Sequence, residues 1–256
     1  MASIKKKQPL VSIIIITKNE EKNLPHLLND IKKQDYAPLE IILSDAKSTD
    51  KTRLIAKRNK CIIVEGGMPS VGRNSGAKKA KGEILLFLDA DVRLPSAFLK
   101  QNIQEFKARN LGCAGCYVKP LGNNSIDKLF HYILNMYMCL VQRIYPHMPG
   151  FCIFATKKVH NAIKGFDPTI KLSEDSNYIM KAGRISSFRM LSSQKIHASV
   201  RRFHKEGYLK AGFKYILVQP YRLLFGEIRS DIFNYKFDHY NKNNKATENK
   251  TTESLK

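Results

Sequence analysis

The sequence predicts an α/β fold built on a mostly parallel central sheet with helices on both faces. Two observations predict it. Short apolar runs alternate with amphipathic helical segments through the first half of the chain, and these runs are apolar almost throughout, as strands covered on both faces are. The chain has 256 residues, of which 43% are hydrophobic, enough for one large domain or two small ones.

The first half of the chain alternates strand-like and helical segments in a regular order. Its four strand-like runs are VSIIIIT (11–17), LEIILSD (39–45), CIIVEG (61–66) and EILLFLDAD (83–91). Thr17 and Glu20 have the spacing of a capping box, which predicts that the first helix starts there. In parallel sheets ligands bind at the carboxyl ends of the strands, so we expect a site where these runs end.

The second half is less regular and is predicted to be mainly helical. Residues 126–146 form a long helical stretch, FCIFATKK (151–158) is a strand, and SEDSNYIMKAGR (173–184) is a helix that begins with acidic residues. A further helix, with a kink at Pro220, is expected over 204–227. The predicted divisions are a basic leader at 1–9, a folded domain at 10–202, an amphipathic helical segment at 203–230 and a largely disordered tail at 231–256.

Composition restricts the classes of protein that this chain can belong to. The odd number of cysteines, five, indicates a reducing compartment. Cys113 and Cys116 form a CxxC that we interpret as part of a buried strand, with zinc binding or redox chemistry as the alternative. The net charge of +22 favours a polyanionic partner: nucleic acid, an anionic membrane or a phosphorylated substrate. No zinc-finger or RRM pattern is present, so nucleic-acid binding would rest on charge alone.

Two carboxylates end the fourth strand-like run. Asp89 and Asp91 can point to the same side of the strand, with Ala90 between them. Like charges at this spacing repel each other unless a cation lies nearby, and Mg²⁺ or Mn²⁺ prefers oxygen ligands and often completes its shell with substrate phosphates. A pair of solvated loop carboxylates is the alternative, and the two residues alone leave both interpretations open.

Five segments in order resemble glycosyltransferase family 2, whose members have the GT-A fold. They are VSIIIITKNEEKNLPHLLNDIKKQ, EIILSDAKSTDKT, GRNSGAKKAKGEILLFLDAD, GFDPTIKLSEDSNYIMKAGR and SVRRFHKEG, and the resemblance covers about residues 10–205. It implies transfer of a sugar from a nucleotide-sugar to an acceptor hydroxyl or phosphate, with inversion. Ala46 and Lys47 depart from the usual turn of the family. The absence of tryptophan excludes the Q-x-x-R-W motif of the processive synthases, which favours transfer of a single sugar.

The resemblance implies a metal site and a general base. Asp91, with Asp89 assisting, would hold Mn²⁺ or Mg²⁺ on the diphosphate, because the leaving group develops negative charge. His197 lies where this fold often supplies a further metal ligand, although a single histidine is also a common structural residue. Asp175 would be the base for in-line attack and Glu174 the second candidate, the alternative being that both only cap a helix.

The resemblance also implies a pocket for the donor. Asp45 would accept a hydrogen bond from a ring nitrogen of the base, and Arg73 would contact diphosphate or ribose. Two consecutive arginines near residue 200 suit a phosphate of donor or acceptor, with a solvated basic surface as the alternative. The residues expected to bind substrates are Thr17, Glu20, Asp45, Arg73, Ala90, Arg201 and Arg202.

The leading hypothesis is therefore an inverting, single-sugar glycosyltransferase, with no nucleic-acid partner expected. A non-catalytic nucleotide-binding protein of the same fold and a basic nucleic-acid-binding protein are the alternatives. Ile126–Tyr145 carries more apolar residues than one buried face requires, and Tyr208–Phe225 mixes aromatic and leucine residues with basic ones. These segments predict a cytoplasmic protein, peripheral at the inner face of the membrane, with a lipid-linked acceptor; packing on the sheet or on a partner subunit is the alternative.

Overall fold

The computed structural model of the protein describes residues 8–201 and 207–230, with only the backbone for 209–216. The strands are β1 Val11–Thr17, β2 Leu39–Asp45, β3 Ile62–Glu65, β4 Ile84–Asp89, β5 Val92–Arg93, β6 Cys113–Leu121, β7 Cys152–Thr156 and β8 Phe188–Ser199. The helices are α1 Leu24–Lys32, α2 Thr52–Arg58, α3 Pro69–Lys79, α4 Phe98–Ala108, α5 Ser125–Val141, α6 Lys157–Ala162, α7 Glu174–Ile185 and α8 Tyr208–Phe225. Nearly all of the expected leader, and the expected disordered tail, lie outside the described residues.

The strands form one eight-stranded sheet in the order β3-β2-β1-β4-β7-β6-β8-β5. The four strands of the first half are parallel to one another, as their apolar sequences predict. β7 is inserted antiparallel between β4 and β6, so the complete sheet is mixed. The predicted α/β architecture is confirmed, and the parallel arrangement is concentrated in the first half of the chain.

Strand β1 is buried on both faces, which explains its uninterrupted apolar sequence. On one face, Ile14 meets α3 so closely that a methyl group added at Gly76 would lie 2.3 Å from the Cγ2 atom of Ile14. On the other face, Ile13 and Ile15 are also fully buried. Burial of one such side chain stabilises the fold by about 1.5–3 kcal/mol. The glycine in α3 therefore lets this helix approach the sheet and carry Arg73 to the strand ends.

The first helix begins later than the sequence suggested. α1 starts at Leu24 with Asn23 as its N-cap residue, so the predicted capping box at residues 17–20 is wrong. The Thr17 hydroxyl donates to Asp45 Oδ1 at 3.1 Å, and Glu20 accepts from the side chain of Asn23 at 2.6 Å. Thr17 and Glu20 therefore belong to the strand end and to the turn that follows it.

The second half supplies one strand that sequence patterns did not indicate. β8 has a polar, exposed centre around Ser192, so its alternation is broken. It pairs in parallel with β6 and in antiparallel fashion with β5, and it ends at Ser199 beside the acidic end of β4. Cys113 and Cys116 are buried in β6, which confirms that their CxxC belongs to a strand. Pro220 lies inside α8, and no helix within the described residues is long and apolar enough to span a bilayer.

Candidate active site

The carboxyl ends of three parallel strands bring the first group of predicted residues together. In the sheet register Thr17 lies opposite Asp45, and Ile16 lies opposite Asp89. The three strands β1, β2 and β4 therefore end at one edge of the sheet. This is the edge at which ligands bind in sheets of this kind.

Asp45 is fully buried at this edge and is already surrounded by donors. Its Oδ1 atom accepts from the hydroxyls of Thr17 at 3.1 Å and Ser48 at 2.5 Å. Its Oδ2 atom accepts from the Ser48 backbone at 3.0 Å and from Arg53 Nη1 at 3.2 Å. The carboxylate thus fixes the turn after β2. Its expected hydrogen bond to a nucleotide base stays a prediction, and forming it would require one of these four hydrogen bonds to break.

The turns after β1 and β2 are joined by a set of short hydrogen bonds. The backbone of Asn19 donates to Ser48 Oγ at 2.9 Å, and its side-chain oxygen accepts from the backbone of Thr49 at 2.9 Å. Asn19 and Lys47 both have left-handed backbone conformations, with φ of 53° and 56°. Lys47 thus adopts, at some conformational cost, the geometry that glycine takes most easily. The departure from the family's sequence at this position therefore keeps a tight turn.

Asp89 and Asp91 lie at the end of β4 and are each held by a different arginine. Arg73 Nη2 donates to Asp89 Oδ1 at 3.3 Å, and Arg201 Nη2 donates to Asp91 Oδ2 at 2.8 Å. The two carboxylate side chains retain 37% and 30% of their accessibility, whereas Ala90 between them is buried. Both carboxylates are therefore reachable from solvent while basic side chains compensate their charge.

Arg73 is buried in the centre of the site, with only 3% of its surface exposed. Its Nη1 atom donates to Glu174 Oε1 at 2.7 Å, and its Nη2 atom donates to the Gly150 carbonyl at 3.1 Å and to Asp89. The guanidinium also lies 5.3 Å from the ring centroid of Phe166. Arg73 therefore binds protein carboxylates and a carbonyl, and its expected contact with diphosphate or ribose stays a prediction.

Glu174 and Asp175 begin α7 and have different surroundings. Glu174 is buried against Arg73. Burial and the charge of neighbouring Glu174 together raise the pKa of Asp175 to about 7 against the opposing effect of Arg73. Asp175 Oδ2 also lies close to Gly150, since a methyl group added there would be 2.9 Å from it. The carboxyl of Asp175 can thus exchange a proton near neutral pH, whereas Glu174 is committed to an ion pair.

Glu20 lies near Asp91, with Arg201 between the two carboxylates. Its Oε1 atom is 3.6 Å from Arg201 Nη2, which also binds Asp91. Burial, helped by the charges of Asp91 and Asp89, raises the pKa of Glu20 to about 7 against the opposing effects of Asn23 and Arg201. Glu20 and Thr17, both expected to bind substrate, therefore face different neighbours.

The structure does not bring His197 to the two aspartates. His197 lies on β8 opposite Arg93 of β5, and burial together with the charges of Lys119 and Arg93 lowers its pKa. In the described part of the chain, no three His, Cys, Asp or Glu side chains form a group that could hold a metal ion. Arg202, the second of the paired arginines, lies outside the described residues.

The donor set at the end of β4 nevertheless fits a divalent cation. Asp89 and Asp91 offer two accessible carboxylates, and Mg²⁺ in particular is usually bound through one or two carboxylates, substrate phosphates and water. Arg201 occupies Asp91 Oδ2 in this structure, so a metal ion would compete with it for that oxygen. The residues therefore fit a metal that is completed by its substrate.

Two functional features were not recognised in the sequence. Gly150 accepts from Arg73 and has no room for a side chain beside Asp175. Asn74 exchanges hydrogen bonds with the backbone of Phe166 at 2.8 and 2.9 Å, which fastens the loop before α7 to α3. The R-N-x-G segment in the sequence could have indicated the role of Asn74. A single glycine such as Gly150 carries no comparable signal.

A mixed α/β sheet that carries an acidic pair at the end of β4 is the arrangement expected of glycosyltransferase family 2. Residues 12–162 match the family described as Glycosyl transferase family 2, and the chain therefore belongs to that family. Staphylococcus aureus poly(ribitol-phosphate) β-N-acetylglucosaminyltransferase TarS is 28% identical over 182 residues, which cover 67% of this chain and 32% of TarS. The Campylobacter jejuni GalNAc(5)-diNAcBac-PP-undecaprenol β-1,3-glucosyltransferase is 32% identical over 129 residues, which cover 47% of this chain and 40% of that protein. The chain thus spans about a third of TarS.

Solved structures show the same architecture. The complex of TarS with UDP-GlcNAc has a TM-score of 0.61 and 25% identity, over 74% of this chain and 58% of that one. The Pyrobaculum calidifontis mannosyltransferase PcManGT, in complex with GDP-Man and Mn²⁺, has a TM-score of 0.63 over 83% of this chain and 65% of that one. At 18% identity the second likeness concerns the fold alone. The expected GT-A fold is confirmed.

Proposed function

We propose that the protein is a metal-dependent, inverting glycosyltransferase that moves a single sugar from a nucleotide-sugar to an acceptor. One observation carries the proposal: Arg73 joins Asp89, at the expected metal site, to Glu174, which is adjacent to the candidate base Asp175. The groups proposed to act on the leaving diphosphate and on the incoming hydroxyl are thus parts of one network centred on the buried Arg73. This arrangement supports catalysis more than nucleotide binding alone.

The donor end of the site is formed by the acidic pair and its arginine. Asp91 and Asp89 would hold Mn²⁺ or Mg²⁺, which when bound supplies positive charge to the leaving diphosphate. Arg201, which donates to Asp91, would exchange this contact for a phosphate of the donor, a group that its planar guanidinium suits. TarS bound to UDP-GlcNAc and PcManGT bound to GDP-Man and Mn²⁺ support a nucleotide-sugar donor and a divalent metal.

The acceptor end is formed by Asp175 and the residues that position it. With a pKa of about 7, Asp175 is partly ionised at neutral pH and can take the proton of an acceptor hydroxyl during attack. Glu174 and Arg73 keep the start of α7 beside Gly150. Attack from the side opposite the leaving group would invert the anomeric carbon.

The acceptor that we propose is lipid-linked, and the proposed location is the cytoplasmic face of a membrane. The name of the Campylobacter jejuni relative describes an acceptor carried on PP-undecaprenol, which supports this class of acceptor. The net charge of +22 suits a protein that works on an anionic surface.

A thermal-shift panel tests the proposal. UDP, GDP, CDP and dTDP are each added with and without Mn²⁺, and the nucleotide-sugars of the responding base are then tested for hydrolysis. We expect one nucleotide to stabilise the protein only with Mn²⁺, and Asp91→Ala to lose that response and all transfer while keeping its fold.

The alternatives give different results in the same experiment. A non-catalytic relative would bind a nucleotide with Mn²⁺ but would neither hydrolyse nor transfer the sugar. A basic nucleic-acid-binding protein would show salt-sensitive binding to arbitrary DNA or RNA and no response to any nucleotide. Full activity of Asp91→Ala in metal-free buffer would refute metal-dependent catalysis.

A further inference from the structure

Helix α5 has an inverted distribution of polar residues. The side packed against the protein carries Asp127 and His131, both buried, and the Asp127 carboxylate accepts a hydrogen bond from the Tyr208 hydroxyl. The opposite side is apolar and exposed, although the outer side of a surface helix is usually polar. This outward face of α5 consists of Ile126, Leu129, Ile133, Met136 and Leu140, which are 48–72% exposed.

The flanks of the outward face have the composition of a helix at a lipid–water boundary. Tyr132 and Tyr137 are exposed on its two sides, and tyrosine has an apolar ring with a polar tip suited to that boundary. Lys128 is exposed on α5 and Arg143 just beyond its end. Asp127 is the single acidic residue of α5, within the described part of the chain, and it is turned inward. An anionic surface would therefore meet no negative charge from this helix.

The outward face is connected directly to the acceptor end of the site. From the end of α5 the chain runs through Gln142, whose side chain accepts from the backbone of Met190 at 2.9 Å, to Gly150. The Gly150 carbonyl binds Arg73, and its α-carbon lies against Asp175. Seating α5 on a surface would therefore also restrain the segment that leads from its end to Gly150, beside the candidate base.

We propose that the outward face of α5 docks into the interfacial layer of an anionic bilayer and thereby presents a bilayer-embedded acceptor to Asp175. This inference rests on the proposed glycosyltransferase function. A second copy of the chain is the less suitable occupant, because two molecules with a net charge of +22 repel each other while an anionic bilayer attracts each of them. The broad apolar face with tyrosine at both edges also matches a lipid boundary.

Vesicle partitioning of matched variants tests the docking face. The face variant is Leu129→Ser with Ile133→Ser. The control variant is Leu54→Ser with Ile185→Ser, which makes the same chemical changes at similarly exposed positions on α2 and α7. For vesicles of phosphatidylglycerol and phosphatidylcholine, we expect partitioning to fall at least tenfold for the face variant and less than twofold for the control. Hydrolysis of the donor sugar, measured without acceptor, should persist in both.

Several results would overturn the docking face. The first is an absence of vesicle binding by the wild type at low salt. The second is an equal loss of vesicle partitioning in the face and control variants. The third is a dimer in sedimentation that the face variant alone disrupts. Hydrolysis of the donor sugar is measured separately from vesicle binding. If no variant and no wild-type sample hydrolyses a nucleotide-sugar while the partitioning pattern holds, the proposed function fails and the docking face stands.

A probe on the native chain gives a second readout that does not depend on the variants. All five cysteines lie within the described residues, and Cys139, on the flank of the outward face, is the exposed one among them. Cys61 is half-buried, and burial raises the pKa of its thiol to about 11, which slows its labelling. An environment-sensitive fluorophore on Cys139 should shift to the blue with anionic vesicles. An unchanged spectrum under conditions of full vesicle binding would contradict docking through α5.

Discussion

Arg73 Nη1 donates to Glu174 Oε1 at 2.7 Å across 101 residues of sequence. The same guanidinium reaches Asp89 at the end of β4 and the carbonyl of Gly150. A single buried cation therefore holds the acidic strand end, the loop after α5 and the start of α7 in fixed positions. The geometry of the candidate site depends on this residue more than on any exposed ion pair around it.

Arg73→Gln should destabilise the protein strongly. Removing one partner of a buried ion pair leaves an uncompensated charge, which costs about 3–5 kcal/mol. Urea unfolding measures the effect. The matched control is Lys100→Gln, because Lys100 forms an exposed pair with Asp35 and such pairs contribute about 0–1 kcal/mol. Equal losses in the two variants would show that the Arg73 network is not buried as described.

Asp175 should set the pH dependence of sugar transfer. Its pKa is about 7, so the carboxyl is protonated and inactive as a base below that pH and ionised above it. The rate should therefore rise with pH through about 7 and then level off. Asp175→Asn should remove this dependence and lower kcat by about 10²–10⁴-fold, while the dissociation constant of the donor changes little.

Glu174→Gln is the matched variant for that experiment. Glu174 positions Asp175 and does not itself accept the proton. Glu174→Gln should therefore keep the inflection of the pH–rate profile near neutral pH, even if its rate is lower. An inactive Glu174→Gln with an active Asp175→Asn would reverse the two roles. Activity in both variants would exclude this segment as the source of the base.

The same carboxyl should make the folded protein less stable as the pH rises. The folded pKa of Asp175, about 7, is above the unfolded value of about 3.9. A group of this kind contributes stability below the unfolded pKa and loses that contribution as the pH passes through the folded pKa. Asp175→Asn should therefore unfold at a higher temperature than the wild type at pH 8, with a smaller difference at pH 4. A difference independent of pH would contradict the raised pKa.

Gly150→Ala should impair transfer without removing donor binding. The added methyl group would lie 2.7 Å from Arg73 Nη2 and 2.9 Å from Asp175 Oδ2, so one of these groups must move. We expect kcat to fall at least tenfold, in steady-state assays at saturating donor, because small displacements of a base are costly. The control is Gly183→Ala on α7, whose nearest contact would be 3.3 Å from Pro146. Full activity of Gly150→Ala would mean that the acceptor side tolerates displacement.

The sequence was sufficient for the four parallel strands of the first half and for the acidic residues at the ends of β2 and β4. An uninterrupted apolar run followed by carboxylates has few structural solutions, and Asp45 and Asp89 do lie at the ends of β2 and β4, the two strands that flank β1. The predicted start of α1 was wrong because the Thr17 side chain does not cap a local backbone group. Its hydroxyl donates a hydrogen bond to Asp45, 28 residues away. Local spacing cannot distinguish these two partners.

Arg73 shows most clearly what the sequence could not provide. An arginine on the inner side of a helix can bind a ligand phosphate or protein carboxylates, and only the packing of α3 against Gly150 and α7 decides between them. His197 is the converse case, because the family resemblance suggested a metal ligand while the pairing of β8 places it opposite Arg93. Strand β8 itself was missed because its polar centre breaks the alternation.

Arg201→Gln should change metal and nucleotide affinity in opposite directions. Arg201 Nη2 binds Asp91 Oδ2 at 2.8 Å and lies 3.6 Å from Glu20 Oε1, so it competes with a cation for this carboxylate. Titration calorimetry without nucleotide should show tighter Mn²⁺ binding, by up to about fivefold, because a partly exposed ion pair is worth about 0–1 kcal/mol. Nucleoside diphosphate should bind more weakly in saturating Mn²⁺, because a phosphate contact is lost. Arg93→Gln, which breaks the pair with Asp30, should change neither affinity. Parallel changes of the two affinities in Arg201→Gln would exclude the competition between Arg201 and the metal.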